Sequence, residues 1–436
     1  MKLKQKLPWW PIPKTILAFV FVMMAAGAFI ASISALQADY FLWSKTNRFL
    51  HDALWIPGSL LAGASSAIAI MIWPRQGIFQ VNSTGKMRSK AAMRQLGIIV
   101  TLAFTGHLLG CAPLLYFTSR YGSGGSLSWA SLLVAFSGVI TLVAIGFFTG
   151  LAIKRIFIAP LISVATFALM AIISEPILRP LALLFPVHQV AGSARFETNP
   201  PVAVFSLIFA CTLLLAGYSV LSFPLAGKNP GLSAHCRNLL LPQIVPVVCI
   251  LALIGCAFVW RPELLTVHRP VKTSCFKIQE LQVCLHEQNL PARTSVQKSI
   301  TRLQKVGISS LLTTINDDAA VERDLPRNGE AFIIIDPGPY DSENVANSLE
   351  ESIAWQVVSA ATTDRCIDKT KTIESHDLNS AIAHELLQRA KYPNLAEHVS
   401  PEVNSTFAHM SERELSSFLH TQNRLVTSCS LENKTL

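Results

Sequence analysis

The sequence predicts a polytopic α-helical membrane protein with about seven transmembrane helices, N-terminus inside and C-terminus outside, carrying a C-terminal extracytoplasmic domain of α/β or α+β type. Three observations predict it. Of the 436 residues, 51% are hydrophobic and only 14% are charged, against roughly 25% charged in ordinary soluble domains. The charge is unevenly divided: residues 1–260 hold 18 Lys or Arg and four acids (Asp39, Asp52, Glu175 and Glu197), a net +14, whereas residues 261–436 hold 18 bases and 23 acids, a net −5. The basic part also contains seven long apolar stretches.

A helix rising 1.5 Å per residue needs about 20 apolar residues to cross a hydrocarbon core about 30 Å thick. The stretches that approach this length run from Ile16 to Leu36, Ala53 to Trp73, Gly97 to Phe117, Trp129 to Ile153, Ile156 to Ile173, Pro201 to Phe223 and Leu241 to Trp260. They define a transmembrane domain over residues 1–260 and a soluble domain over residues 261–436. The first stretch follows Lys2, Lys4 and Lys6 and so has the layout of a signal peptide, but its length and the spans after it favour a retained helix.

Orientation follows from the bases in alternate loops. The N-terminal tail, the segment from Pro74 to Leu96, Lys154 with Arg155, and the segment from Pro224 to Leu240 together hold 13 Lys or Arg; the opposite loops hold four, at Lys45, Arg48, Arg120 and Arg195. Lys and Arg are retained on the cytoplasmic side, which places the N-terminus inside and the last domain outside a plasma membrane. The same rule accounts for the basic pI without a nucleic-acid partner, and makes the lipid bilayer the first expected partner. Tyr40, Phe41, Trp43 and Trp55 suit the headgroup boundary at the outer face.

Polar residues inside or beside these stretches are the candidate sites. Between Ile156 and Pro186 the apolar run is too long for one straight span and is interrupted by Ser174-Glu175-Pro176 and Arg179-Pro180. Glu175 and Arg179 stand four apart, so a local helix brings them onto one face, either as a functional intramembrane pair or as a structural ion pair at the interface. His107 in the third stretch is either a packed histidine or part of a polar pathway. The inner segment from Arg75 to Leu96 ends in Lys86, Arg88, Lys90 and Arg94, which predict a short basic helix leading into the third span. Such a helix either lies on anionic lipid or docks a cytoplasmic partner. Ser83-Thr84-Gly85-Lys86 lacks the first glycine and the Ser/Thr of a phosphate loop, so the chain is not expected to be an ATPase.

In the last domain, alternation through Phe276, Ile278, Leu281, Val283 and Leu285 predicts a strand or hairpin. A helix from Pro291 to Val306, strands near Leu311–Ile315 and Ala331–Asp336, and helices over Glu343–Ala360, Leu378–Ala390 and Ser411–Arg424 follow. Four cysteines, Cys275, Cys284, Cys366 and Cys429, fall here, an even number on the oxidising side. Proximity favours Cys275 with Cys284 and Cys366 with Cys429 among the three possible pairings. The His384-Glu385-Leu-Leu-Gln stretch has Gln388 where a zinc peptidase needs its second histidine, and His286-Glu287 has no completing partner nearby in sequence. No catalytic residue, metal or cofactor is therefore expected.

The layout of six spans, a seventh and an outer domain with cysteines resembles permease-like membrane proteins that accompany ATP-binding-cassette ATPases in actinobacteria. Val283-Cys284-Leu285-His286 is similar to the Cys-x-His stretch opening their outer domain, with Glu287 in place of the following proline, and Cys429 fits their late cysteine. The resemblance implies the transmembrane subunit of an exporter, energised by a separate cytoplasmic ATPase received by the loop from Arg75 to Leu96 and assembled as a homo- or hetero-dimer. The segment around Glu175 would then lie near the outer gate, and the outer domain would cap the exit or bind cargo such as a peptide or lipid-like molecule. The competing reading is a non-transport sensor, immunity factor or scaffold whose outer domain binds a ligand.

Overall fold

The computed structural model describes residues 12–38, 40–72, 85–122, 124–153, 155–173, 179–185, 194, 196–222, 235–261, 263–267, 272–321, 326–335, 349–366, 373–399 and 407–431. All seven apolar stretches contain helix. In chain order the helices are α1 (Lys14–Leu36), α2 (Trp43–Asp52), α3 (Trp55–Ile72), α4 (Gly85–Tyr121), α5 (Trp129–Ile153), α6 (Ile158–Ile172), α7 (Pro200–Ser222) and α8 (His235–Trp260). Among the described residues, five helical spans are long and apolar enough to cross a membrane: Lys14–Leu36, Trp43–Met71 (α2 running on into α3), Ser89–Tyr121, Trp129–Ile153 and Pro200–Ser219. The apolar helices Ile158–Ile172 and Val247–Trp260 are shorter. Large apolar side chains such as Phe19, Ile30, Leu215 and Leu251 point outward, the arrangement expected where lipid rather than water surrounds a bundle.

The helices approach closely where small residues line up. Gly106 and Gly110 of α4 face α1, and a Cβ on them would meet the carbonyl oxygens of Phe21 and Ala25. Gly146 and Gly150 of α5 likewise abut the carbonyls of Ala62 and Ser66 on α3. Spacing of four puts each glycine pair on one helix face, so two backbones touch with little side chain between them.

One expectation is corrected at the first outer connection. Residues 43–52 form α2 rather than a loop, and Ala53–Leu54 separates it from α3. Hydropathy misses α2 because its mean is polar, yet Ser44, Asn47, Arg48 and His51 are all buried. Their spacing of 0, 3, 4 and 7 marks one face of a helix.

Several connections meet at one end of the bundle. Strand β1 (Phe196–Thr198), which leads into α7, pairs antiparallel with β2 (Leu265–Val267), which follows α8. Asn47 of α2 donates through Nδ2 to Ser126 O and accepts from Ser128 N, both at 2.9 Å, pinning the connection between α4 and α5 to the same end. The C-terminal domain sits there.

That domain is built on a four-stranded sheet: β3 (Thr273–Ile278), β4 (Leu281–His286), β5 (Thr314–Asp317) and β6 (Glu330–Ile333), in sequence order. β3 and β4 form an antiparallel hairpin, while β4, β5 and β6 run parallel. Parallel neighbours require a crossover, supplied between β4 and β5 by α9 (Arg293–Lys305), whose end is turned by Gly307 at φ +97. Helices α10 (Leu349–Ala361), α11 (Ile373–Arg389), α12 (Pro393–Val399), α13 (Glu412–Thr421) and α14 (Asn423–Thr427) complete it. The fifth strand begins three residues later than expected, and α12 was not anticipated. Val283, Leu285, Ile300, Ile315, Ile333, Val357 and Leu386 share one core, which also takes in Tyr40 and Leu42 from the connection between α1 and α2. Tyr40 is thus a core residue of the C-terminal domain rather than a headgroup-boundary ring.

Candidate site at the junction of bundle and C-terminal domain

The seam between the two parts is polar and closed by buried hydrogen bonds. Asp317 lies at the C-terminal end of β5, 1% exposed. Its Oδ2 accepts from His286 N at 3.0 Å and Asn289 Nδ2 at 2.7 Å, and its Oδ1 accepts from Ala319 N at 3.0 Å. Burial pushes the Asp317 carboxyl up to about 6, against these donors, which pull it down. Asn289 in turn accepts through Oδ1 from the Tyr40 hydroxyl at 3.1 Å. A short relay therefore runs from the membrane helices, through Asn289, to a carboxylate under the parallel strands.

Beside this relay is a cavity of about 440 Å³. Its walls come from Trp43 and Asn47 on α2, Trp129 at the start of α5, and Lys272, His286 and Glu287 of the C-terminal domain. Lys272 Nζ lies 3.5 Å from Glu287 Oε2, and His286 Nδ1 accepts from Gln288 N at 3.2 Å. Gly125, at φ +83, lies at the rim with Trp43 and Gln288 so close that a side chain there would collide with both. Two indoles, an ion pair and several amide and hydroxyl groups give a mixed lining able to hold a small polar or amphipathic solute.

Below the cavity the polar face of α2 turns into the bundle. Arg48 Nη2 is 3.6 Å from Asp52 Oδ2, and His51 Nδ1 is 3.0 Å from Asp52 Oδ1. His107 of α4 lies next to them: its Nε2 is 2.6 Å from the Leu50 carbonyl, which fixes that nitrogen as the donor, with Cys111 Sγ at 3.9 Å. The structure thus brings His107 together with Arg48, His51 and Asp52, none of which the sequence reading had placed in a site.

None of the other expected residues joins this cluster among the described residues. Glu175 lies outside the described residues, as does the Arg179 side chain; Arg179 begins a short 3-10 turn, Arg179–Leu183. The basic segment is not a separate short helix but the first turns of α4 itself. Lys90 and Arg94 are exposed on it, while the loop before Gly85 and the side chains of Lys86 and Arg88 lie outside the described residues. Cys275 and Cys284, directly opposite in the β3–β4 hairpin, form a disulfide. Cys429 is also disulfide-bonded. The side chain of Cys366, its expected partner, lies outside the described residues, but Asn379 Nδ2 donates to both Thr362 O and Val426 O and so holds the two chain segments side by side. In the His384-Glu385 stretch, Glu385 pairs with Arg389, which donates to Phe407 O and Met410 O; this is a structural clamp. Among the described residues no group of His, Cys, Asp and Glu has the arrangement of a metal site.

Comparison with protein-family models, curated proteins and solved structures finds no match to this chain.

Proposed function

We propose that the chain is a permease-like transmembrane subunit, oriented with its N-terminus in the cytoplasm and its last domain outside, that binds solute in the junction cavity and is driven by a separate cytoplasmic ATPase of the ATP-binding-cassette class. The observation that carries this reading is the length and placement of α4. Its apolar part, from Gly97 to Phe117, is enough to fill the hydrocarbon core, so the turns from Gly85 to Leu96 project about 18 Å beyond it. That projecting end presents Lys90 and Arg94, four apart on one exposed face. At the other end, Thr118 Oγ1 is hydrogen-bonded to Thr46 Oγ1 of α2 at 2.7 Å, and the connection after α4 forms the cavity rim. One continuous helix therefore links a basic cytoplasmic end to the wall of the solute cavity, and displacement of the first would move the second. The excess of Lys and Arg on the α4 N-terminal side supports the orientation, and the disulfide between Cys275 and Cys284 suits an oxidising compartment for the outer domain.

The test is purification of the full-length chain in mild detergent, with identification of accompanying proteins, alongside the Lys90→Glu, Arg94→Glu double variant. The reading expects a nucleotide-hydrolysing partner that the double variant loses. A partner without nucleotide hydrolysis, or one unaffected by charge reversal, would favour the sensor or scaffold reading.

A further inference from the structure

Buried polar atoms in folded proteins are almost always hydrogen-bonded. Around Asp52 several such atoms gather in one place. Both ring nitrogens of His51, Asp52 Oδ1, His107 Nδ1 and Ser44 Oγ are buried and make no hydrogen bond among the described residues. His51 Nδ1 and Asp52 Oδ1 are 3.0 Å apart but not aligned to bond. His51 is 2% exposed and His107 is fully buried, and the two imidazoles are near enough to interact electrostatically. Ser44 stands two helical turns above Asp52 on α2 and lines the junction cavity. The unpaired atoms therefore run along α2 and the facing part of α4, from Ser44 at the cavity wall to Asp52 two turns further on.

We infer that Asp52, His51 and His107 form a hydrated proton-binding site, reached by water from the junction cavity past Ser44. Water molecules supply the missing hydrogen bonds, since a polar pocket with several partners retains water where an apolar one stays dry. A proton delivered by a hydronium ion of that chain binds the Asp52 carboxylate or the neighbouring His51 imidazole, leaving water, and returns by the same route. Arg48 and His51 on α2 set the local charge. Of the elements packed against α2, α4 adds His107 and Cys111 nearby and Arg120 at its end, β1 adds Glu197, and α5 has no titratable side chain. The assignment stands on burial and unpaired atoms, and is separate from the proposed cytoplasmic ATPase.

The test is infrared difference spectroscopy of the full-length chain in detergent, titrated through the carboxyl and imidazole range and repeated in deuterated buffer. A carboxyl C=O band is expected that shifts promptly on deuteration, disappears in Asp52→Asn, and moves its midpoint in His51→Gln or His107→Gln. Should Asp52→Asn fail to fold, Asp52→Glu should keep a titrating band at a displaced frequency. A wild-type spectrum unchanged in Asp52→Asn or Asp52→Glu, midpoints indifferent to both histidines, or a band that resists deuteration would overturn it.

Discussion

The Tyr40 hydroxyl donates to Asn289 Oδ1 at 3.1 Å, joining residues 249 positions apart and fastening the C-terminal domain to the connection between α1 and α2. Both residues are buried. Tyr40→Phe keeps the ring in the core and removes the hydroxyl that donates to Asn289, so it should lower stability by about 1 kcal/mol. Hydrogen exchange should rise in residues 286–292 and leave α11 unchanged. Asn289→Ala removes the partner of Asp317 as well and should cost more.

Asp317 makes the C-terminal domain more stable in mild acid than at neutral pH. Its folded-state value, about 6, is above the ordinary 3.8, so the folded chain binds more protons than the unfolded chain between those values. The contribution to stability is fully present below the unfolded value and is lost as pH rises through about 6, by an amount on the order of 3 kcal/mol. Unfolding midpoints measured across this range should show a component that falls with rising pH and vanishes in Asp317→Asn.

Two glycines of α4 predict opposite effects of the same substitution. Gly97 has open space where a Cβ would go, whereas Gly110 is against the α1 backbone at Ala25 and Phe29. Gly97→Ala should raise stability by about 0.5–1 kcal/mol. Gly110→Ala should lower it by about 1–3 kcal/mol by forcing α1 and α4 apart. Thermal unfolding in a single detergent compares them directly.

The hairpin disulfide reports sidedness. A membrane-impermeant maleimide applied to intact cells should label Cys275 and Cys284 only after external reduction. The Cys275→Ser, Cys284→Ser double variant should lose up to about 2–3 kcal/mol, the loop-closure value for so short a loop. The β3–β4 turn already limits the chain, so the loss should fall below that ceiling.

Much of this architecture is legible in the sequence, because hydrocarbon accepts only long apolar helices and an alternating hairpin has a strong period. The Cys275–Cys284 pairing is legible from closeness in sequence, and the β3–β4 hairpin sets the two residues directly opposite each other. What was missed depends on contacts across the chain. The α2 face of Ser44, Asn47, Arg48 and His51 has helical spacing, but a polar segment between apolar runs reads as loop until a neighbouring helix is known to cover it. The His286 region gained its meaning from Asp317, 31 residues later on an adjacent parallel strand, and from Tyr40 in the other domain. Strand β5, with the sequence Thr-Ile-Asn-Asp, carries too little apolar alternation to mark its own register.

The most direct test of the account is a photo-crosslinking amino acid placed at Lys90 in growing cells, followed by identification of the captured protein. The account predicts a cytoplasmic nucleotide-hydrolysing subunit attached at the projecting end of α4. Capture of an extracytoplasmic protein, or of no nucleotide-hydrolysing protein at all, would contradict it.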